Sequence, residues 1–294
     1  YVILDEKIAV MDSVDARATE EWLSNVARVL EGRSPDYLVV THMEPDHSGS
    51  LMRLAQKYPE MKIVGNAKTF TLIKQFFGTG ALSEERMLEV GEGSTLSLGS
   101  HRLRFLLAPM VHWPEVMAAY EEEEKILFSA DAFGRFGSLE RTARAPWAPQ
   151  ARRYYYNIVG KYGAQVQALL KKISAQEIKT ICPLHGPMLT EDLGEYLRLY
   201  DLWSQWKPEE PEGNLIAHAS IHGNTAYASE ALKSKLEGKG AQVTMCDLTA
   251  TDLSYAVTSA FYCGKLVLAC STYDGGLFPP MKEFLYHLQT KGFR

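Results

Sequence analysis

The stretch YLVVTHMEPDHSGS, Tyr37 to Ser50, sets an apolar strand directly against a cluster of ligand-type side chains. Tyr37 to Val40 read as a strand buried on both faces, and His42, Glu44, Asp46 and His47 then place four donors within six positions, before a helical segment. At the period of an extended chain, His42, Glu44 and Asp46 project to one side, and His47 follows as the chain turns. Uncompensated carboxylates at the carboxyl end of a buried strand carry a heavy desolvation cost. A metal ion removes it.

Three later positions repeat the pattern of a ligand type just past an apolar run: His112 in FLLAPMVHWPE, Asp131 in KILFSADAFG and His185 in TICPLHGP. His112 or His185 alone reads more simply as a satisfied core histidine. Together with the first cluster they make four imidazoles and three carboxylates with no sulfur, enough for two ions if one carboxylate bridges. Mixed nitrogen and oxygen donors with open positions suit redox iron better than structural zinc, although zinc accepts such ligands too. His101, His218 and His287 have no such company and receive no role.

Outward from this stretch the chain has an α/β rhythm: a helix over about 15–30, strands over 36–41 and 62–65, and a helix over 50–58 between them. Between Met87 and Phe133 the segments turn β-rich, and helical stretches follow over 153–173 and 191–206. Strand-rich meanders inside α/β units predict a layered αββα sandwich over residues 1–207. The segment KPEEPEG, Lys207 to Gly213, contains no apolar residue and reads as a linker over 208–213. Beyond it, residues 214–294 run strand (215–219), glycine-bearing loop, helix (226–238), strands (241–248 and 265–270), loop and helix (280–290), the opening of a doubly wound parallel sheet.

Two loops of this second part look like ligand loops. Ser220, Ile221, His222, Gly223, Asn224 and Thr225 lead from a strand straight into a helix, where amide N–H groups and hydroxyls can hold a phosphate; the bland reading is a plain strand-to-helix turn. Ser271, Thr272, Tyr273, Asp274, Gly275 and Gly276 follow the next buried strand, with Tyr273 able to flank a flat ring. Both sit at carboxyl ends of strands, where open α/β sheets bind ligands.

The string HxExDH at His42 to His47, with His112, Asp131 and His185 downstream, resembles the β-lactamase-like domain of the flavodiiron (A-type flavoprotein) family. Hydrolytic relatives carry a second histidine where Glu44 stands, and the acidic residue is associated with iron and redox chemistry. The resemblance implies a metallo-β-lactamase-like αββα sandwich followed by a partial flavodoxin-like domain. It implies two non-haem irons, with His42, Glu44 and His112 on one, Asp46, His47 and His185 on the other, and Asp131 bridging. It also implies FMN in the two loops and electrons from a small donor such as rubredoxin. O2 would be reduced to water or NO to N2O, in a head-to-tail homodimer or dimer of dimers. Trp113, Phe133 and Phe136, near the ligands in sequence, either wall a dry pocket or belong to the core. Relative to the family pattern the chain opens inside a strand and stops after its third flavodoxin-type strand, which reads as a fragment at both ends.

Composition narrows the alternatives. With 46% hydrophobic and 23% charged residues the chain is an ordinary globular one, and 31 basic against 36 acidic residues leave no footprint for nucleic acid. Apolar runs fall well short of the roughly 18 residues that span a bilayer. Cys182, Cys246, Cys263 and Cys270 show no CxxC or disulfide-like spacing, which favours a reducing, cytoplasmic setting. The run Glu121 to Glu124 reads as a solvated hairpin turn. Two competing functions remain: a zinc hydrolase with an appended flavodoxin-like module, separated by metal identity, and a non-enzymatic flavin electron carrier with a structural metal.

Overall fold

The computed structural model describes residues 1–142 and 145–293. They form two compact units, Tyr1–Gly134 with Ala168–Glu195, and Arg135–Gln167 with the chain from Tyr196 onward.

In the first unit two five-stranded sheets lie face to face. The first follows the order β1 (Val2–Ile3), β2 (Ala9–Met11), β3 (Tyr37–Val39), β4 (Lys62–Gly65) and β5 (Met87–Glu89), parallel from β2 onward. Neighbouring residues on these strands point to opposite faces, and both faces are buried. Val10, Leu38 and Ile63 pack with Leu23, Val26, Leu54, Phe70 and Ile73 of the helices Thr19–Leu30, Leu51–Lys57 and Ala67–Phe77. Ala9, Met11, Val39 and Val64 pack instead with Leu103, Phe105, Met117, Ala119 and Phe128 of the second sheet. That sheet contains β6 (Thr95–Ser97), β7 (Arg102–Leu107), β8 (Met117–Glu121), β9 (Ile126–Phe128) and β10 (Thr180–Cys182), antiparallel except for β9 with β10. The layered sandwich expected from the sequence is present.

The second unit holds a three-stranded parallel sheet, β11 (Glu210–Ala219) between β12 (Val243–Asp247) and β13 (Cys263–Cys270), followed by a short hairpin of β14 (Thr272–Tyr273) and β15 (Gly276–Leu277). Helices Asn224–Glu237, Leu253–Tyr262 and Pro279–Thr290 accompany it. The helix Leu253–Tyr262 lies between two strands that the sequence reading placed in direct succession, with no helix between them.

The expected linker is instead structural. Glu210 already pairs with Cys263, and an irregularity between Glu210 and Asn214 absorbs Pro211, whose missing N–H would otherwise break a central ladder. A Cβ on Gly264 would lie 2.0 Å from the Pro211 carbonyl oxygen, so the crossing requires glycine there. The glutamates that made the segment look solvated have partners: Glu209 takes Arg152 Nε and Nη2 (2.5 and 2.6 Å) and Trp203 Nε1 (2.6 Å), and Glu212 takes Lys265 Nζ (2.6 Å). The helical stretches assigned to the first domain are also divided. Trp147, Tyr155, Tyr156, Tyr200 and Trp203 form one aromatic cluster in the second unit, and the Tyr156 ring stacks on Phe261 at 4.3 Å. Large aromatic faces go where they bury much area, and here Tyr156 finds it against the helix Leu253–Tyr262.

The acidic run is a hairpin turn, but not a solvated one at its start. Glu121 is buried, and its carboxylate accepts from the amides of Glu123 (2.9 Å) and Glu124 (2.7 Å) and lies 3.1 Å from His101 Nδ1. Burial opposes its charge, yet these donors outweigh it and hold the carboxyl below its ordinary value. A depressed carboxyl stabilises the fold above its unfolded pKa and loses that contribution as pH falls through the folded one. Glu121→Gln in metal-free protein should therefore cost about 1–3 kcal/mol at neutral pH, with the gap to wild type closing below about pH 4, read by urea unfolding. A gap that stays constant down to acid pH contradicts this account of the turn.

Candidate metal centre

Pro45 decides how the first cluster is presented. It fixes φ for the first helical position, so the chain leaves the extended state after Glu44 and winds into the short helix Pro45–Ser48. His42, Glu44 and Asp46 therefore do not share one side, contrary to the extended-chain reading. Asp46 and His47 are carried round the helical turn, away from His42 and Glu44.

The result is two donor groups. In the first, His112 Nε2 lies 3.0 Å from Glu44 Oε2 and 3.1 Å from Asp131 Oδ2, and His42 Nε2 lies 3.3 and 3.5 Å from the same oxygens. In the second, His47 Nε2 is 3.0 Å from His185 Nε2, and each of these nitrogens is 3.4 Å from Asp46 Oδ2. Asp131 serves both groups, because its other oxygen, Oδ1, lies 3.2 Å from His47 Nε2 and 3.5 Å from His185 Nε2. Atoms each about 2.1 Å from a common ion stand about 3.0 Å apart at a right angle and about 3.4 Å apart at a tetrahedral one, and these separations span that range. Nitrogen and oxygen donors without sulfur fit hard or borderline divalent ions such as iron and zinc.

Unmet polarity points the same way. Asp131 is buried, and its Oδ1 has no hydrogen-bond partner; the same holds for Asp46 Oδ1. Hydrogen bonds from His112 and His42 hold Glu44 down at about 2. Burial resists charge on His42, but Glu115, Glu44 and Asp131 overcome it and raise the ring to about 10. His47 and His112 are raised by the same contest between burial and Asp131, whereas burial prevails at His185 and lowers it. The carboxylates thus demand positive charge, which protons or metal ions can supply.

Two side chains that the sequence reading passed over hold the cluster from behind. Buried Asp12 accepts from Thr41 N (2.7 Å), Thr41 Oγ1 (2.6 Å) and His42 N (3.3 Å), fixing the chain just past β3. Buried Glu115 accepts from His42 Nδ1 and Met43 N, both at 2.8 Å. Their only signal in the sequence is an acidic residue beside an apolar segment, in AVMDSV and in HWPE. Trp113 walls the first group, edge-on to His42 at 5.4 Å and to His112 at 6.4 Å. Phe133 is core, and Phe136 packs within the second unit on Tyr154 and under Arg153.

In the second unit the two loops meet at one hydroxyl. Ser271 Oγ lies 3.1 Å from Thr225 Oγ1 and accepts from Ile221 N at 3.4 Å, and Ser220 Oγ accepts from Gly223 N at 3.1 Å. Gly223, at φ +85°, turns the chain into the helix Asn224–Glu237. The loops follow the adjacent strands β11 and β13, and the strand order reverses at β11. His222, Asn224, Thr272, Asp274, Gly275 and Gly276 are exposed at this edge, with Tyr273 beside Phe278.

Residues 1–186 match the family described as ODP family beta lactamase. A nitric oxide reductase from Moorella thermoacetica is 26% identical over 97% of this chain and 72% of its own length. Diflavin flavoprotein A 1 from Synechocystis is 28% identical over 86% of this chain, which spans only 44% of that longer protein. Among solved structures, the flavodiiron protein from Giardia intestinalis superposes with a TM-score of 0.92 at 27% identity, over 99% of this chain and 72% of its own. The rubredoxin:oxygen oxidoreductase of Desulfovibrio gigas gives 0.90 at 26% identity, over 99% and 74%.

Because Asp131 alone among the described residues reaches both groups, Asp131→Ala should lower bound metal to a single weakly held ion per chain or to none, counted by elemental mass spectrometry. Undiminished metal content would refute its shared position.

Proposed function

The chain belongs to the flavodiiron protein family, with an ODP family beta-lactamase domain over residues 1–186, and we propose that it reduces O2 to water, NO to N2O, or both. In this reading electrons arrive from a small redox protein such as a rubredoxin by way of FMN. The observation that carries the proposal is the pair of donor groups joined through the two oxygens of Asp131. When bound, FMN and a pair of irons supply the electron-transfer chemistry that side chains alone lack.

The chain's own residues then have distinct tasks. His42, Glu44 and His112 would hold one ion, Asp46, His47 and His185 the other, and Asp131 would share its carboxylate between them, as the donor grouping supports. Asp12 and Glu115 keep the loops that carry these donors in place. Trp113 covers the first group, while Glu44, Asp46 and His185 remain partly exposed and leave the side on which a small neutral gas can enter. In the second unit, Ser220 to Thr225 present amides and hydroxyls at a helix start to the phosphate of FMN, and Ser271 to Gly276 border its ring. We assign the metal site to residues 1–207 and the flavin loops to 214–294, following the functional division read from the sequence. A head-to-tail homodimer would set the flavin of one protomer beside the metal site of its partner. Among the described residues no helix is long and apolar enough to cross a membrane, and the reduced-thiol setting of the cysteines supports a cytoplasmic protein.

Anaerobically purified protein should contain about two irons per chain by elemental mass spectrometry and should consume O2 or NO when supplied with reduced rubredoxin. Zinc without iron, from cells grown with ample iron, would turn the reading to a hydrolase. Ser271→Ala, which removes the hydroxyl joining both loops, should weaken FMN binding by about tenfold, the equivalent of one charge-assisted hydrogen bond, in a flavin fluorescence titration. Undiminished affinity would detach Ser271 from the flavin site.

A further inference from the structure

We infer that Glu115 is a positioning residue for one ion of the pair only: its carboxylate holds His42 with Nε2 turned toward Glu44 and Asp131, and so sets the affinity of the first donor group. This rests on the dinuclear reading of the site.

Glu115 is 1% exposed and His42 is fully buried, so their contact is shielded from solvent. With the proton on Nδ1 donated to Glu115 Oε1 at 2.8 Å, the ring's lone pair lies at Nε2, the nitrogen that faces the other donors. A carboxylate behind a ligating imidazole fixes its tautomer and orientation and raises its basicity. The same Oε1 takes the Met43 amide at 2.8 Å, so the main chain next to His42 is held with the ring. Glu115 Oε2 is buried without a partner, and the carboxylate therefore acts on this one ligand and its neighbour and not through a wider network. Glu115 is itself clamped. Its carbonyl accepts from Asn66 Nδ2 at 2.5 Å, and Asn66 Oδ1 caps the helix Ala67–Phe77 through the amides of Lys68 and Thr69. It also follows His112 by three residues, so one loop supplies a ligand of the first group and orients the other imidazole.

The second group is held by other means. His47 is fixed through its backbone, where its carbonyl accepts from Ser13 N (2.9 Å) and Ser13 Oγ (2.8 Å), and its ring meets Asp46 and Asp131 through Nε2. Loss of the Glu115 charge should reach this group only indirectly.

The test is a cobalt(II) titration of metal-free protein, followed by ligand-field absorbance in competition with a chelator, to resolve two dissociation constants. Glu115→Gln keeps the shape and one acceptor but removes the charge; it should raise one constant by about 10–100-fold and leave the other unchanged. The absorption of the ion at the weakened site should shift as His42 is held less well. Glu115→Asp, which keeps the charge but withdraws it by a methylene, should fall between the two, and carries the test if Glu115→Gln does not fold. Two unchanged constants, or two that weaken equally as they would for a general loop tie, overturn the inference. Wild-type protein that binds fewer than two ions overturns the dinuclear reading as well, and is recognised because it appears without any substitution.

Discussion

Buried charge of like sign has to be met by something, and in this protein that demand is concentrated at one place. Glu44, Asp46 and Asp131 bring three carboxylates together, and Asp131 is fully enclosed with one oxygen left without a hydrogen bond. The imidazoles around them meet part of this demand as donors: at His47 and His112 the pull of Asp131 toward a second proton outweighs burial, whereas at His185 burial wins. Cations on either side of Asp131 would meet the demand with the side chains where they stand.

The fold exists around that arrangement in a concrete sense. Parallel strands bring their carboxyl ends to one edge, and the turn after β3 carries His42 to His47 there. The second sheet delivers the rest: His112 lies between β7 and β8, Asp131 follows β9 and His185 follows β10. Two sheets packed through Val39, Val64, Phe105, Met117 and Phe128 hold those ends in register, because a close-packed interior permits little slippage. Second-layer carboxylates then complete the work that packing begins. Asp12 fixes the main chain of the first cluster, and Glu115 fixes a ring within it.

In the proposed flavin site the parallel sheet of the second unit would use the same geometry for a different ligand chemistry. Strand ends again bring the candidate residues together, but here they are hydroxyls, amides and a glycine turn, which suit a phosphate, in place of charged donors. Charge appears here in structural roles, as in the Arg152, Glu209 and Trp203 contact that ties two helical segments to the start of β11.

Sequence alone was enough to identify the αββα layering and the parallel sheet, and it singled out the seven side chains that the structure gathers into two groups. Each of these leaves a local mark: apolar runs of strand length, turn residues, and ligand types set immediately past a strand. What escaped it was decided between segments distant in the chain. Pro45 ends the extended geometry and separates Asp46 from His42, yet which group each joins depends on residues near 112, 131 and 185. Glu115 and Asp12 look like any acidic residue at a strand end until the fold places His42 between them. The acidic segment at the start of β11 reads as a linker because its neighbours in sequence are polar, whereas Arg152, Trp203 and Lys265, which pair with it, are supplied by other elements. Periodicity and turn chemistry belong to neighbouring residues and are therefore written along the chain; the compensation of buried charge belongs to neighbours in space, and only the tertiary structure assigns those.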